Sequence, residues 1–198
     1  TTYAMEGSIF IAGAGVQWLR DRMKFFKKAP ETEKIVKSLK DNNNIYLVPA
    51  FTGLGAPYWD ANARGVLSGI TRDTSPKEIV RATIEAVAYQ TYDLFEAMKH
   101  DGLRPKIVKV DGGMVMNNWF SQFLSDIDNV KVLRPKVQET TALGAAFMAG
   151  LQIGVYKSLK DISKNWHLDK KFSPKMKNPL RNKLLKGWSA AIKKTLSN

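Results

Sequence analysis

Ile107-Val108-Lys109-Val110-Asp111-Gly112-Gly113-Met114-Val115-Met116-Asn117 is the stretch on which the fold turns. Three β-branched residues among its first four predict a short strand, and Phe120, Phe123, Leu124 and Ile127 then recur at helical spacing. The unit is strand, glycine turn, helix. Downstream, Val130 to Leu133 reads as another strand, closed by Pro135. Thr140 then opens a helix rich in Ala142, Ala145, Ala146 and Ala149, whose small face suits close packing. The βαβα order predicts an α/β domain.

Upstream, Ser75-Pro76-Lys77-Glu78 combines a Ser N-cap, Pro at the first helical position and Glu at the third, which is a capping box with φ preset. Val80, Ile84, Val87, Leu94 and Met98, with Thr91 interposed, form the apolar stripe of a helix that ends before Asp101-Gly102. Farther upstream, Ile45 to Phe51 reads as a strand, and Thr52 to Asp60 as a loop whose glycines and proline set its backbone angles. Asp41-Asn42-Asn43-Asn44 is a breaker cluster, preceded by a short helix at about Glu31 to Leu39. A first helix, about Ser8 to Lys28, is expected from Ile9, Ala12, Val16, Leu19 and Met23, with Ser8 as its cap.

With 198 residues and 44% hydrophobic content, the chain has enough apolar mass for one substantial core and a trailing extension. Zero cysteines exclude a disulfide framework and thiolate metal sites, and two scattered histidines, His100 and His167, argue against a His-based metal site. No run of eighteen apolar residues occurs, and the first residues form no signal peptide, so the expected setting is cytoplasmic, with no membrane partner. The net charge of +13 is uneven: residues 157–198 hold twelve Lys/Arg against two Asp, while residues 1–156 hold nineteen basic and sixteen acidic side chains. In the tail, lysines alternate with Leu180, Leu184, Leu185, Trp188, Ile192 and Leu196 at helical spacing, which describes a solvated helix face. Aromatic interleaving and Arg enrichment are missing, and the reading is against a nucleic-acid partner. Two segments follow: a main domain over 1–156 and a basic extension over 157–198, whose helix packs on that domain.

The phosphate-loop pattern G-x-x-x-x-G-K-[ST] does not occur, and Gly13-Ala14-Gly15-Val16-Gln17-Trp18 places Trp where a dinucleotide fingerprint needs Gly or Ala. No Cys and no G-x-S-x-G supports a nucleophile. Two pairs carry the chemistry instead. Gly113 lies on a strand-to-helix turn, where bare backbone and the helix dipole favour an anion, with Asn117 four residues on. Gly13 precedes Gln17 by the same interval, so a missing side chain and an amide share one helix face with room for a flat base. Each pair has a purely structural reading as well, a tight βα turn for the first and close helix packing for the second.

Tyr3 to Phe10, Ala12 to Asp21, Val48 to Asp60, Val110 to Asn118, and Arg134 to Gly150 around Glu139-Thr140-Thr141-Ala142-Leu143-Gly144 resemble, in order and almost end to end, the C-terminal domain of glycerol kinases in the FGGY family of carbohydrate kinases. Residues 65–85 resemble a signature of the wider family: Gly65-x-Leu67-x-Gly69-Ile70, then Glu78-Ile79 and Ala82-Thr83-Ile84-Glu85. The resemblance implies half of an actin-like ATPase (ribonuclease H-like) α/β architecture, in which two domains close on each other. The adenine nucleotide, ATP or ADP with Mg²⁺, is held largely by the C-terminal half and the polyol mainly by the other. By resemblance, Gly13, Gln17, Gly113 and Asn117 match the nucleotide-contacting positions. The family's polyol-binding segments, its Gly-Thr-Gly phosphate motif and its proton-accepting aspartate lie upstream of Thr1 and have no counterpart here. No catalytic or metal-binding residue is therefore assigned; Asp60 and Asp111 read as turn residues. Departures from the family pattern are Asp60-Ala61-Asn62-Ala63-Arg64 for Asp-Pro-Tyr-Ala-Arg, Arg72-Asp73 for Arg-Gly, and Asp128-Asn129 for Leu-Gly.

The resemblance implies ATP-dependent phosphorylation of glycerol to glycerol 3-phosphate by an intact enzyme. This chain alone is expected to bind adenine nucleotide weakly, to take glycerol only with an N-terminal half, and to be inactive by itself. Two alternatives stand beside it: half of another FGGY kinase, acting on a pentose or gluconate, and a non-catalytic remnant or interaction module whose basic tail binds something acidic. Apolar surface exposed where the other half docks also predicts self-association as a homo-oligomer.

Overall fold

The structure is a computed structural model that describes residues 3–197. In chain order, α1 (Gly13–Asp21) and α2 (Glu31–Lys37) precede β1 (Tyr46–Val48), β2 (Val66–Ser68) and the long α3 (Pro76–His100). Then come β3 (Ile107–Lys109), a 3-10 turn (Gly113–Met116), α4 (Asn118–Asp128), β4 (Lys131–Pro135), α5 (Thr140–Gln152), α6 (Leu159–Ser163), β5 (Leu168–Phe172) and α7 (Asn178–Thr195). The result is a mixed α/β domain, as the βαβα order predicts.

The capping box forms as expected: the Ser75 hydroxyl accepts the Lys77 N–H at 3.2 Å, and the Glu78 carboxylate accepts the Ser75 N–H at 3.0 Å. The helix it opens is the centre of the core. From Val80 to Tyr89 every residue of α3 is buried, because α1, α2, α4 and β1 all pack against it. Tyr89 stacks on Trp188 of α7 with ring centroids 5.2 Å apart and meets Phe123 of α4 edge-on at 5.6 Å. Gly187 lets α7 approach β1 this closely, since a Cβ there would collide with the Tyr46 ring. Leu184, Trp188, Ala191 and Ile192 are thereby buried, with Lys183, Lys186, Lys193 and Lys194 on exposed positions.

β3 and β4 pair in parallel, Ile107 opposite Lys131, as a βαβ crossover requires. β5 adds antiparallel to β4, so the sheet order is β3-β4-β5, and β1 and β2 form a separate antiparallel pair. Neither β2 nor β5 is expected from the sequence: β2 is three half-buried residues, and β5 buries Phe172 alone.

Two helices depart from expectation. The first runs only from Gly13 to Asp21, and Ser8 does not cap it; Ala12 is its N-cap, with no side-chain hydrogen bond. Tertiary contacts hold the preceding residues out of the helix: Gly7 lies against Leu94 and Met98, and the Ile11 carbonyl accepts the Gln90 amide at 3.1 Å. At the other end Lys24 turns left-handed (φ 58°) and the Phe25 N–H bonds back to the Leu19 carbonyl at 3.1 Å, closing the helix well before Lys28. The alanine face of α5 is not packed: Ala142, Ala145, Ala146 and Ala149 are exposed, and Gly150 is the one buried residue of the helix. No described element packs closely on it.

Candidate functional site

α1, the start of α2 and the 3-10 turn surround a cavity of about 320 Å³. α1 contributes Gly13, Val16, Gln17 and Arg20; the chain entering α2 contributes Ala29, Pro30, Thr32 and Glu33; the turn contributes Gly113, Met114, Met116 and Asn117. Ile84 of α3 completes the lining. All four residues singled out from the sequence, from segments a hundred residues apart, therefore meet at one cavity.

The two glycines are informative for what surrounds them. A Cβ on Gly13 or Gly113 would meet no atom within 4 Å, and neither residue has the positive φ that demands glycine. Packing therefore does not explain either one. Their neighbours supply the contrast: Gly15 is needed for helix packing, since its Cβ would lie 2.9 Å from Thr83 Cγ2, and Gly112 is needed for its φ of 81°. Gly13 and Gly113 keep open space in the cavity itself.

The amides differ from each other. Gln17 sits one turn after Gly13 on α1, exposed, and its side chain has no hydrogen-bond partner among the described residues. Asn117 does not stand on a helix face continuous with Gly113, because the 3-10 turn intervenes. It is instead the N-cap of α4, in extended backbone, and its Oδ1 accepts the Phe120 N–H at 3.0 Å. Its Nδ2 donates to Thr32 Oγ1 at 3.4 Å. One N–H and one lone pair of Asn117 remain for a ligand.

Sequence reasoning missed Arg20, Thr32 and Glu33. Arg20 follows Gln17 by three residues, a signal on the same helix face, and pairs with Asp21 at 2.7 and 2.8 Å. Nothing local marks Thr32 and Glu33 as site residues, because the contacts that bring them to the site, with Asn117 and Asn118, span 85 residues. Burial pushes the Glu33 carboxyl up, but hydrogen bonds from Lys37 and the Asn118 N–H outweigh it and hold the group below the ordinary glutamate range.

Neither conspicuous aspartate lines the cavity. Asp60 accepts the N–H groups of Asn62, Ala63 and Ser197, and the Ser197 backbone contributes most to holding its carboxyl low. Asp111 accepts the Thr140 hydroxyl. Among the described residues no cluster of three acidic or imidazole side chains converges to hold a metal, and no helix is long and apolar enough to cross a membrane.

Residues 1–153 match the profile of the FGGY family of carbohydrate kinases, C-terminal domain. Glycerol kinase 1 of Pseudomonas aeruginosa is 55% identical over 196 residues, which cover 99% of this chain and 40% of that protein. The fold is similar to that of Plasmodium falciparum glycerol kinase with ADP, with a TM-score of 0.86 and 36% identity over 97% of this chain and 38% of that one. It is also similar to ligand-bound xylulose kinase from Lactobacillus acidophilus, with a TM-score of 0.76 and 26% identity over 93% of this chain and 38% of that one. The chain spans about 40% of the length of the curated relatives it matches.

Proposed function

Because the chain belongs to the FGGY family of carbohydrate kinases, whose C-terminal domain it carries, we propose that it supplies the nucleotide-holding part of an ATP-dependent kinase that converts glycerol to glycerol 3-phosphate. The observation that carries this reading is the pair Gly13 and Gly113: two glycines that neither packing nor backbone conformation requires, opening on one cavity beside two amides. A nucleotide lies against the bare backbone at Gly13 and Gly113, and Gln17 and Asn117 meet its polar edges. Among relatives, the Plasmodium falciparum enzyme was solved with ADP, which supports an adenine nucleotide as ligand.

Phosphoryl transfer needs in-line positioning, a metal to neutralise the phosphates and a group to take the hydroxyl proton. The residues of this chain supply the first in part. Mg²⁺ would neutralise the phosphates of a bound nucleotide, and no carboxylate of this chain is assigned to hold it. Asp60 and Asp111, already engaged in loop contacts, are not assigned as the base. Glycerol and the proton acceptor belong to the remaining part of a two-domain enzyme acting in the cytoplasm. Residues 1–156 form the nucleotide domain, and 157–198 brace it through α7.

The test is a calorimetric and thermal-shift titration of the 198-residue chain with Mg-ADP, beside Asn117→Ala and Gly113→Val. At a hundredfold excess over Kd, ADP stabilises the parent chain by about 2.7 kcal/mol, and both variants respond less. No response up to millimolar ADP sinks the reading. Glycerol-dependent ADP formation by this chain alone would overturn the division of labour.

A further inference from the structure

Thr32 is 4% exposed, and its hydroxyl has only one proton to give. That proton goes to the Ala29 carbonyl at 2.7 Å, so toward Asn117 the oxygen can only accept. The Asn117 amide is thus gripped at both ends: Nδ2 faces an obligate acceptor on α2, and Oδ1 faces an obligate donor, the Phe120 N–H. Its orientation follows from its partners. Next to Thr32, Glu33 accepts the Asn118 N–H at 3.2 Å, which ties the backbone of the same turn to α2 independently. Two adjacent residues of α2 divide the task, one orienting the side chain of Asn117 and the other holding the chain beneath it.

We infer that Thr32 is a positioning residue for base selection, fixing the sense of the Asn117 amide that faces the cavity. This rests on the nucleotide reading above, with the base, rather than the anion expected from the glycine turn, at the Asn117 side of the shared cavity. An amide held this way presents one N–H beside one carbonyl lone pair. Adenine offers the complement, an exocyclic N–H₂ beside a ring acceptor, whereas guanine offers two acceptors on the corresponding edge. Thr32 therefore favours adenine over guanine without touching either base, by denying Asn117 the freedom to turn.

The test uses the 198-residue chain with Thr32→Val and Thr32→Ser. Valine keeps the shape and removes the acceptor; serine keeps the acceptor. ADP binding weakens about tenfold in T32V, and the preference for ADP over GDP narrows, while T32S stays near the parent chain. Equal loss of ADP and GDP affinity, or failure of T32S to restore the preference, would mean that Thr32 is structural only, and the inference falls. A second readout needs no nucleotide: in the free chain, NMR of the Asn117 side-chain NH₂ shows faster reorientation in T32V than in the parent. An unchanged Asn117 signal overturns the inference. A changed signal together with no ADP binding by the parent chain keeps the positioning role and sinks the nucleotide reading instead.

Discussion

Glu85 and Asp128 are two acids inside the same core, and their surroundings are opposite. Glu85, 1% exposed in the middle of α3, accepts Arg81 Nε at 2.7 Å and the Tyr89 hydroxyl at 3.0 Å. Arg81 in turn donates to the Leu39 carbonyl at 2.9 Å, so the network reaches a loop beyond α2. Asp128, at the end of α4, has both carboxylate oxygens buried without a hydrogen-bond partner. The nearest cation is already engaged: Arg181 of α7 donates to the Ile127 carbonyl at 2.7 Å and lies over the Tyr92 ring at 5.3 Å. Burial pushes both carboxyls up, but at Glu85 Arg81 opposes it through charge and a direct hydrogen bond, whereas at Asp128 only the charge of Arg181 does, and Asp93 adds to the rise. A buried acid joins a core at tolerable cost when its partners are built with it. Asp128 has an opposing charge nearby but no donor aimed at either of its oxygens.

The largest effect is expected at the satisfied acid. Glu85→Ala leaves the Arg81 guanidinium buried and unpaired and lowers stability by about 3–5 kcal/mol in urea unfolding. A loss under about 1 kcal/mol would break the comparison, because it would mean Arg81 finds another partner at no cost.

Asp93 lies between the two extremes. Its Oδ2 accepts Trp188 Nε1 at 2.6 Å and the Tyr58 hydroxyl at 2.8 Å, tying α3 to α7 and to the 52–60 loop. Burial still raises it, from 3.8 to about 6, against both hydrogen bonds, with Glu96 adding a smaller push. A raised acid stabilises the fold while protonated, so its contribution is full below about pH 4 and is lost as pH rises through about 6. Asn in its place keeps the acceptor and cannot ionise. Relative to the parent chain, Asp93→Asn therefore gains about 3 kcal/mol between pH 4 and pH 8, read from urea midpoints across that range. A flat difference would show that the two hydrogen bonds suffice to hold the charge.

Asp128→Leu tests the other pole. Removing an orphan acid that the core does not accommodate raises stability at pH 7 by about 2 kcal/mol. If it instead destabilises, Arg181 and Asp128 form a pair in solution, and the contrast with Glu85 collapses.

Little of this contrast was legible in the sequence. The local signals were: the Ser75 capping box, the βα unit at Ile107, and two glycine–amide intervals all lie within a few residues of themselves. The apolar stripe of α3 marks one face, yet Arg81, Thr83 and Glu85 outside that stripe are buried too, because α1, α2, α4 and β1 pack around the helix. Ser8 reads as a cap, but contacts of Gly7 with Leu94 and Met98 and of Ile11 with Gln90, all distant in sequence, decide the path there. The four-residue interval from Gly113 to Asn117 suggests one helix face, but a 3-10 turn intervenes, and periodicity does not announce it. Thr32 reads as one polar residue in a short helix, and Asn117, which it accepts from, is 85 positions away.

The smallest effect comes from a fourth buried acid, which sharpens the rule. Glu78 is as enclosed as many core residues, but it accepts the Ser75 N–H and hydroxyl, the latter at 2.6 Å, and Asn43 Nδ2 at 3.4 Å. Burial pushes it up; the Ser75 hydroxyl and the other donors more than reverse this, and it stays below the ordinary value of 4.5. The sign is opposite to that of Asp93: the stability it provides is present above pH 4.5 and is lost as pH falls through its lowered value. Ser75→Ala removes the hydroxyl and costs about 1 kcal/mol at pH 7. That cost should shrink in acid, where protonated Glu78 no longer needs the donor. A cost independent of pH would assign the effect to the Lys77 N–H alone, and the number of donors would then not be what separates Glu78 from Asp128.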